Sequence, residues 1–339
     1  MSHGWRVALI WGVCVSILAV PGRGAPAADD APAAAQASDD AGAKPAEKHK
    51  LAFKFRPGQI VRQEITHESE ITTHKNQDTE TARNSSRSKR HFKVAAVDDQ
   101  TGEGDLEWTI DWVHMTASFQ TADGTKTRPV EFQSNDPKKH PEQFNHILAS
   151  VGRPLAIIRF GQNGAPVRVV TGSVPQASTG LNGETKETSG SPLTDGSLEA
   201  YLIPLPEQPV SVGESWKDRF DVLVRDDMKN RSKIIIQRVY KLSEIKDGRA
   251  IIELRTAILT PVNNGAIAAQ LIQREITGKI VFDIERGLIV SRETVVDNTV
   301  VNAVGANSSM RALSKYHEKL VGVDVIADRK PEAGATSKK

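Results

Sequence analysis

The stretch from Leu106 to Thr116 sets the tightest limit on the fold. Leu106, Trp108, Ile110 and Trp112 fall on one face of an extended chain, and Glu107, Thr109 and Asp111 fall on the other. A period of two belongs to a strand with one buried face. Ile234, Ile236, Tyr240 and Leu242 align the same way, with Ile235 and Val239 filling the second face. Arg249 to Leu259, Glu275 to Glu285 and Leu288 to Val304 are rich in Ile, Val and Thr, the residues that fit a pleated surface. Asp123-Gly124, Asp247-Gly248 and Arg286-Gly287 punctuate these runs, and Asp247-Gly248 is the clearest hairpin turn. Long strands joined by tight turns predict a mainly β protein, with antiparallel strands in one or more curved sheets.

Helical signals are few. Pro137 and Pro141, then Phe144, Ile147, Leu148 and Val151, then Gly152, predict a helix over 136–151. A weaker one is predicted over 195–202, ending before Pro204. Between them, 172–196 reads as a long Ser, Thr, Gly and Asn-rich loop with no cluster of reactive side chains.

The chain also reads as two diverged halves. Arg56-Pro57-Gly58-Gln59-Ile60-Val61 is matched by Val210-Ser211-Val212-Gly213-Glu214-Ser215-Trp216. Arg87-Ser88-Lys89 and Arg231-Ser232-Lys233 each read as opening a strand. The Pro154–Phe160 strand turns into Val167–Val170, as the strand over 278–284 turns into 288–291. The alternative is plain compositional similarity between β-rich segments. Two such halves can wrap a groove or partial barrel, or close into a packed sandwich.

The ends of the chain carry an address. Arg6 precedes an apolar run from Val7 to Val20, which Pro21 and Gly22 break, with small residues at Gly22, Gly24, Ala25 and Ala27. This is the layout of a secretory signal peptide, and the run is shorter than the roughly 20 residues of a spanning helix. Cys14, the only cysteine, lies inside that run, so the exported chain has no disulfide and no thiolate. Losing Arg6 and Arg23 takes the formal charge from +2 to zero. The expected organisation is a signal peptide over 1–27, a disordered Ala/Pro/Asp-rich tether over 28–50 and a first β-rich half over 51–172. A loop and linker over 173–200, a second half over 201–326 and a polar tail over 327–339 complete it. The location is the periplasm, the cell envelope or the extracellular space, with no membrane span after cleavage.

Chemistry is sparse. The exported chain holds His49, His67, His74, His91, His114, His140, His146 and His317, without a paired spacing for zinc. His67 and His74 fall on opposite faces of one strand. Asp98-Asp99 and Asp226-Asp227 match neither a calcium loop nor a defined glycosidase pair. Walker A, Rossmann and G-x-S-x-G patterns are missing. No cofactor and no metal are expected, and the chain reads as more consistent with a non-enzyme. Arg83, Arg87, Lys89 and Arg90 form a basic run, in which Arg87, Lys89 and His91 share a face. Without interleaved aromatics a single-strand nucleic-acid groove is poorly supported, and the run reads as a solvated strand edge, with an anionic surface or headgroup as the lesser alternative. Trp108, Trp112 and His114 are the candidate ligand-binding residues, as a same-face row lining a groove. The commoner fate of such tryptophans is the core.

Three segments carry a family resemblance: Phe53-Lys54-Phe55-Arg56-Pro57-Gly58-Gln59, Val212-Gly213-Glu214-Ser215-Trp216, and Gly278-Lys279-Ile280-Val281-Phe282-Asp283 with Arg286-Gly287. Over most of 51–324 the chain resembles a family of exported β-rich proteins common in planctomycete-type bacteria. That family brings no activity, so the resemblance assigns no catalytic residue. In architecture alone the chain is similar to periplasmic lipoprotein carriers, a half-barrel around a greasy groove. The function these readings imply is an exported binding module for a hydrophobic or amphiphilic molecule, such as a lipid, or for an envelope protein. The alternatives are a hydrolase built on His114 or His146 with scattered carboxylates, and a structural envelope component.

Overall fold

A computed structural model describes residues 47–172, 202–225 and 230–325. The signal-peptide segment with Cys14, the tether up to residue 46, the loop over 173–200, the short helix expected over 195–202 except its last residue, Asp226-Asp227 and the polar tail lie outside the described residues.

One 12-stranded antiparallel sheet dominates. Its first half comprises β2 (Gln59–Lys75), β3 (Asp78–Val97), β4 (Gly104–Gln120), β5 (Val130–Gln133), β6 (Pro154–Phe160) and β7 (Pro166–Gly172). Its second half comprises β9 (Ser215–Arg225), β10 (Arg231–Lys246), β11 (Arg249–Ile258), β12 (Thr277–Asp283), β13 (Leu288–Val301) and β14 (Ser308–Val325). The order is β7-β6-β4-β3-β2-β14-β13-β12-β11-β10-β9, with β5 paired to β4. Each half is thus a meander, and the β2–β14 pair in the middle joins them into one sheet. A separate two-stranded piece pairs β1 (Lys48–His49) with β8 (Val210–Ser211).

The predicted turns are present. Asp247 and Gly248, both at positive φ, form the two-residue β10–β11 hairpin, because that turn type needs two left-handed residues. Arg231-Ser232-Lys233 opens β10, whereas Arg87-Ser88-Lys89 lies in the middle of β3, which starts at Asp78. The basic run is also not on an edge: β3 pairs with β2 on one side and β4 on the other, and Arg87 and Lys89 point from its convex face into solvent.

The helix expected over 136–151 is broken into short turns. Pro137–Lys139 and Glu142–Phe144 are 3-10 turns, followed by the single α-turn α1 (Asn145–Leu148). Pro137 and Pro141 lack amide protons and hold the residues before them extended, so no helix runs through. Asp136 caps the first turn by accepting from the Lys138 amide. The apolar residues still pack as an amphipathic segment would, with Phe144, Ile147, Leu148 and Val151 against Val113, Met115 and Phe132. A helix the sequence reading missed, α2 (Gly265–Leu271), begins at Asn264, whose side chain accepts from the amides of Ala266 and Ile267.

The sheet curls until its wings share a core. Ile158 and Phe160 from one wing, and Tyr240, Leu242, Ile252, Ile280 and Phe282 from the other, belong to one buried cluster with Phe92, Leu106 and Trp108. The segment 51–55 straps this end shut. The Phe53 amide donates to Gln162 O in the β6–β7 turn, and the Lys54 amide donates to Gly287 O in the β12–β13 turn. Leu51 and Phe53 are buried beneath, with the Phe53 ring edge-on to Phe282 at 5.4 Å. A Cβ at Gly164 would overlap the Ile203 carbonyl, and one at Gly287 would overlap the Lys54 backbone. Both turn glycines are therefore required by the strap and linker pressed on them as well as by their positive φ.

Candidate functional site

The concave face changes character along its strands. At the strapped end the inward residues of the central strands are Val61, Phe92 and Val94, all in the core. One step along, they become charged. Glu318 of β14 is 1% exposed and accepts four hydrogen bonds. Its Oε1 receives Gln63 Nε2 at 2.6 Å. Its Oε2 receives Arg90 Nη2 at 3.2 Å, Arg292 Nη2 at 2.5 Å and the Tyr316 hydroxyl at 2.7 Å. Arg90 Nε also donates to Gln63 Oε1 at 3.1 Å, and its guanidinium lies 5.5 Å from the centre of the Trp108 ring. Burial alone would raise the Glu318 pKa, but the two guanidiniums and the Tyr316 hydroxyl hold it below the usual carboxylate range. Burial first, and Glu318 beside it, push the Tyr316 hydroxyl up. The four side chains come together because Gln63 pairs with Arg90, Arg292 with Glu318, and Glu318 with Ile65 in the strand registers, all on inward positions.

Beyond this node the inward row turns small and polar. His67 and Ser69 of β2, Asn84, Ser86 and Ser88 of β3, and Ser314 of β14 follow one another across three neighbouring strands. His67 Nε2 and Ser314 Oγ are 2.8 Å apart, and burial lowers the His67 pKa. Most of these residues are half-buried. On one side stands the apolar cluster of Val113, Met115, Phe132 and Phe144. On the other stand Ile272, Val296, Met310 and Ala312, reached by α2 and the segment behind it, with Ile71 on the floor. The Asn298 side chain holds that segment down by donating to the carbonyls of Ile272 and Glu275. The two clusters remain separate. The polar row between them, about 10 Å across from β3 to β14, floors a trough; farther along the same strands, Ile71, Ala312 and Met310 belong to the second apolar cluster.

The three residues singled out in the sequence do not share a face. A bulge at Asp111 inserts one extra residue in β4: Arg90 pairs with Ile110 and Lys89 with Trp112. Period-two alternation slips by one there. Trp108 points into the core, 4.7 Å from Phe92, whereas Trp112 and His114 stand on the convex face. Their rings are 6.1 Å apart; Trp112 Nε1 donates to Asn135 Oδ1, and His114 Nε2 lies 2.9 Å from Glu131 Oε1. Lys139 donates to the same Glu131 oxygen at 2.8 Å, and the hydrogen bonds from Lys139 and then His114 hold that carboxyl below its usual pKa. This is an ion-pair network that pins the Pro137–Lys139 turn to β4 and β5. His67 and His74 do occupy opposite faces, as their spacing requires, with His74 bonded to Thr79 on the convex side. Asp98 accepts from the amides of Gln100 and Thr101 and so closes a turn.

The node itself escaped the sequence reading, though one signal pointed to it. Within the basic run Arg90 has the opposite parity to Arg87 and Lys89, so it alone faces inward. Among the described residues no group of three or more His, Cys, Asp or Glu side chains is placed to hold a metal, and no helix is long and apolar enough to cross a membrane.

Comparison with known proteins adds the following. Residues 178–289, less than half of the chain, match the model of a family of unknown function (DUF6263). No curated protein matches in sequence. Among solved structures, one described as lipid–protein interactions in lipovitellin is similar over 84% of this chain at 12% identity and a TM-score of 0.38. The chain spans only 26% of that lipovitellin chain. A DUF1329 family protein from Desulfovibrio piger is similar over 78% of this chain and 86% of its own, at 7% identity and a TM-score of 0.12. At such scores neither likeness indicates what this chain binds.

Proposed function

We propose that the protein is an exported, non-enzymatic binding module that takes an amphiphilic molecule into the trough on the concave face of its sheet. The observation that supports this reading is the split core. A sheet that served only as scaffold would pack its concave face end to end. Here the inward row of β2, β3 and β14 carries His67, Ser69, Asn84, Ser86, Ser88, Ser314 and Tyr316 between two buried apolar clusters that remain separate. Apolar walls with a few convergent polar groups make up the usual lining of a small-molecule site. Export and removal of the N-terminal segment are part of the same proposal, motivated by the apolar run from Val7 to Val20. So is the reading of 51–172 and 201–326 as diverged halves, each contributing one wing.

The test is native mass spectrometry of the full exported chain purified from its own host's envelope, before and after extraction with organic solvent. The expected result is a reproducible adduct of lipid mass that extraction removes and that added palmitate or hexadecanol replaces. A bare mass in both samples, with no uptake of either probe, would overturn the proposal.

A further inference from the structure

The two edges of the large sheet differ. β7 is short, starts at Pro166, ends at Gly172 and pairs with β6 through two register shifts, so its outer side is a poor template for another strand. β9, at the other edge, is 11 residues long, contains no Pro or Gly, and pairs with β10 in unbroken register from Ser215 to Arg225. Arg225 shows where its outer backbone groups point. The Arg225 amide donates to Gln270 Oε1 at 3.1 Å, and the Arg225 carbonyl accepts from Gln270 Nε2 at 2.6 Å. Gln270, on α2, thus takes the place of a neighbouring strand for one residue. Backbone direction alternates along an antiparallel strand, so Lys217, Arg219, Asp221 and Leu223 turn their N–H and C=O groups the same way, off the sheet. Among the described residues no backbone group pairs with these four on that side. Leu223 is 64% exposed.

We infer that the β9 edge is an interface with a second copy of this chain, the two β9 strands pairing antiparallel about a twofold axis at Phe220. An open strand edge accepts another strand through main-chain hydrogen bonds. Charge on an edge ordinarily prevents this, but here the charges are self-complementary in one register. With Phe220 opposite its own copy, Arg219 faces Asp221 of the second copy, Asp221 faces Arg219, and Lys217 lays its stem over Leu223. Every one of these pairs joins residues whose backbone groups point outward, so each closes two hydrogen bonds. Moving the register by two residues puts Asp221 against Asp221 or Arg219 against Arg219. The charged groups are already held by β10: Gln237 Oε1 accepts from Arg219 Nε at 2.9 Å, and Lys233 Nζ lies 2.6 Å from Asp221 Oδ2. Gln270 ends the pairing at Arg225 in each copy. The contact is isologous, so it closes at two copies and does not propagate into a fibre.

The experiment is sedimentation velocity of the full exported chain over a concentration series, with amide hydrogen exchange on the same samples. A reversible dimer is expected, with a Kd of about 1–100 μM for an interface of one short strand pair. The amides of Arg219, Asp221 and Leu223 should gain protection only as the dimer forms. Arg219→Asp and Asp221→Arg each set like charges opposite one another twice, and each alone should self-associate at least about ten-fold more weakly. Mixed in equal amounts, the two variants match opposite charges again, so the mixture should dimerise with near wild-type affinity, which damage to the fold could not restore. If either variant fails to fold by circular dichroism, Leu223→Pro replaces them: it removes one outward donor, leaves the β9–β10 ladder its hydrogen bonds, and should weaken the dimer as much. A wild type that stays monomeric at about 500 μM, where even a small specific interface associates, overturns the inference. So does a dimer that both charge variants retain, or a mixture of the two that stays monomeric. Protection of the three amides already in the dilute monomer would mean that another segment of the chain covers the edge, and overturns it as well.

Discussion

The strapped end and the trough end of the sheet are made by the same strands, yet they are held together by different means. At the strapped end the wings meet directly, and Phe53, Phe160 and Phe282 fill the space between them. At the trough end the apolar residues of the two wings form separate clusters, each reached by its own short helical segment, and the inward row between them is largely hydroxyl, amide and imidazole. The change takes place at one line across the strands, where Gln63, Arg90, Glu318 and Arg292 replace apolar residues. Hydrophobic burial is non-directional and scales with area. A buried ion-pair network adds little net stability over an apolar core, but it fixes geometry. On the proposed reading, stability and binding are divided along the strand axis: one end supplies the folding energy, and the other holds the proposed binding trough.

This division is broken first by Phe282→Ala. Phe282 is fully buried, meets Phe53 edge-on and links a wing to the strap. Its loss should cost about 3–5 kcal/mol, read as a fall in the urea midpoint. A loss below about 1 kcal/mol would mean that the strapped end does not carry the stability assigned to it.

Glu318→Gln tests the dividing line. It leaves two buried guanidiniums without their carboxylate and should cost about 3 kcal/mol. The wild type should also show the linkage. The Glu318 pKa is depressed in the folded state, so its contribution is whole above the ordinary value of 4.5 and is lost as pH falls toward the folded-state value. Urea midpoints of the wild type should decline through that acid range, and the decline should be shallower in Glu318→Gln. Parallel curves would place the acid sensitivity elsewhere. His67 gives a smaller effect at higher pH. Burial depresses its pKa, so its contribution is whole above 6.5 and is lost as pH falls below that value. His67→Gln should flatten that part of the profile.

How much of this was legible in the sequence depends on how local the cause was. The long strands, the Asp247-Gly248 hairpin and the opposite faces of His67 and His74 follow from period-two arithmetic. The helix over 136–151 failed because two prolines outweighed an apolar spacing that looked helical. The row of Trp108, Trp112 and His114 failed because one bulged residue, Asp111, resets the alternation, and no residue type announces a bulge of this kind. The node was the least legible, since it joins Gln63, Arg90, Arg292 and Glu318 from four strands far apart in sequence. Only the parity of Arg90 hinted at it.

The finest test of the comparison separates the two faces of a single strand. Ser88 faces the trough beside Ile65 and Val113, whereas Arg87 faces solvent from the convex side. Ser88→Leu adds apolar bulk at a half-buried position, so stability should shift by no more than about 1 kcal/mol. The added side chain would occupy volume on the proposed binding floor, so palmitate affinity should fall at least about ten-fold, which is roughly one occluded contact of 1.4 kcal/mol. Arg87→Gln, one residue away, should leave both quantities within error. If Ser88→Leu binds palmitate as well as the wild type does, the trough is not the site, however stable the variant. If Arg87→Gln also loses binding, the ligand lies on the convex face, and the division between a stabilising end and a binding end no longer holds. If only Ser88→Leu loses binding while the urea midpoint stays put, binding and stability are separable within one strand, as the split core requires.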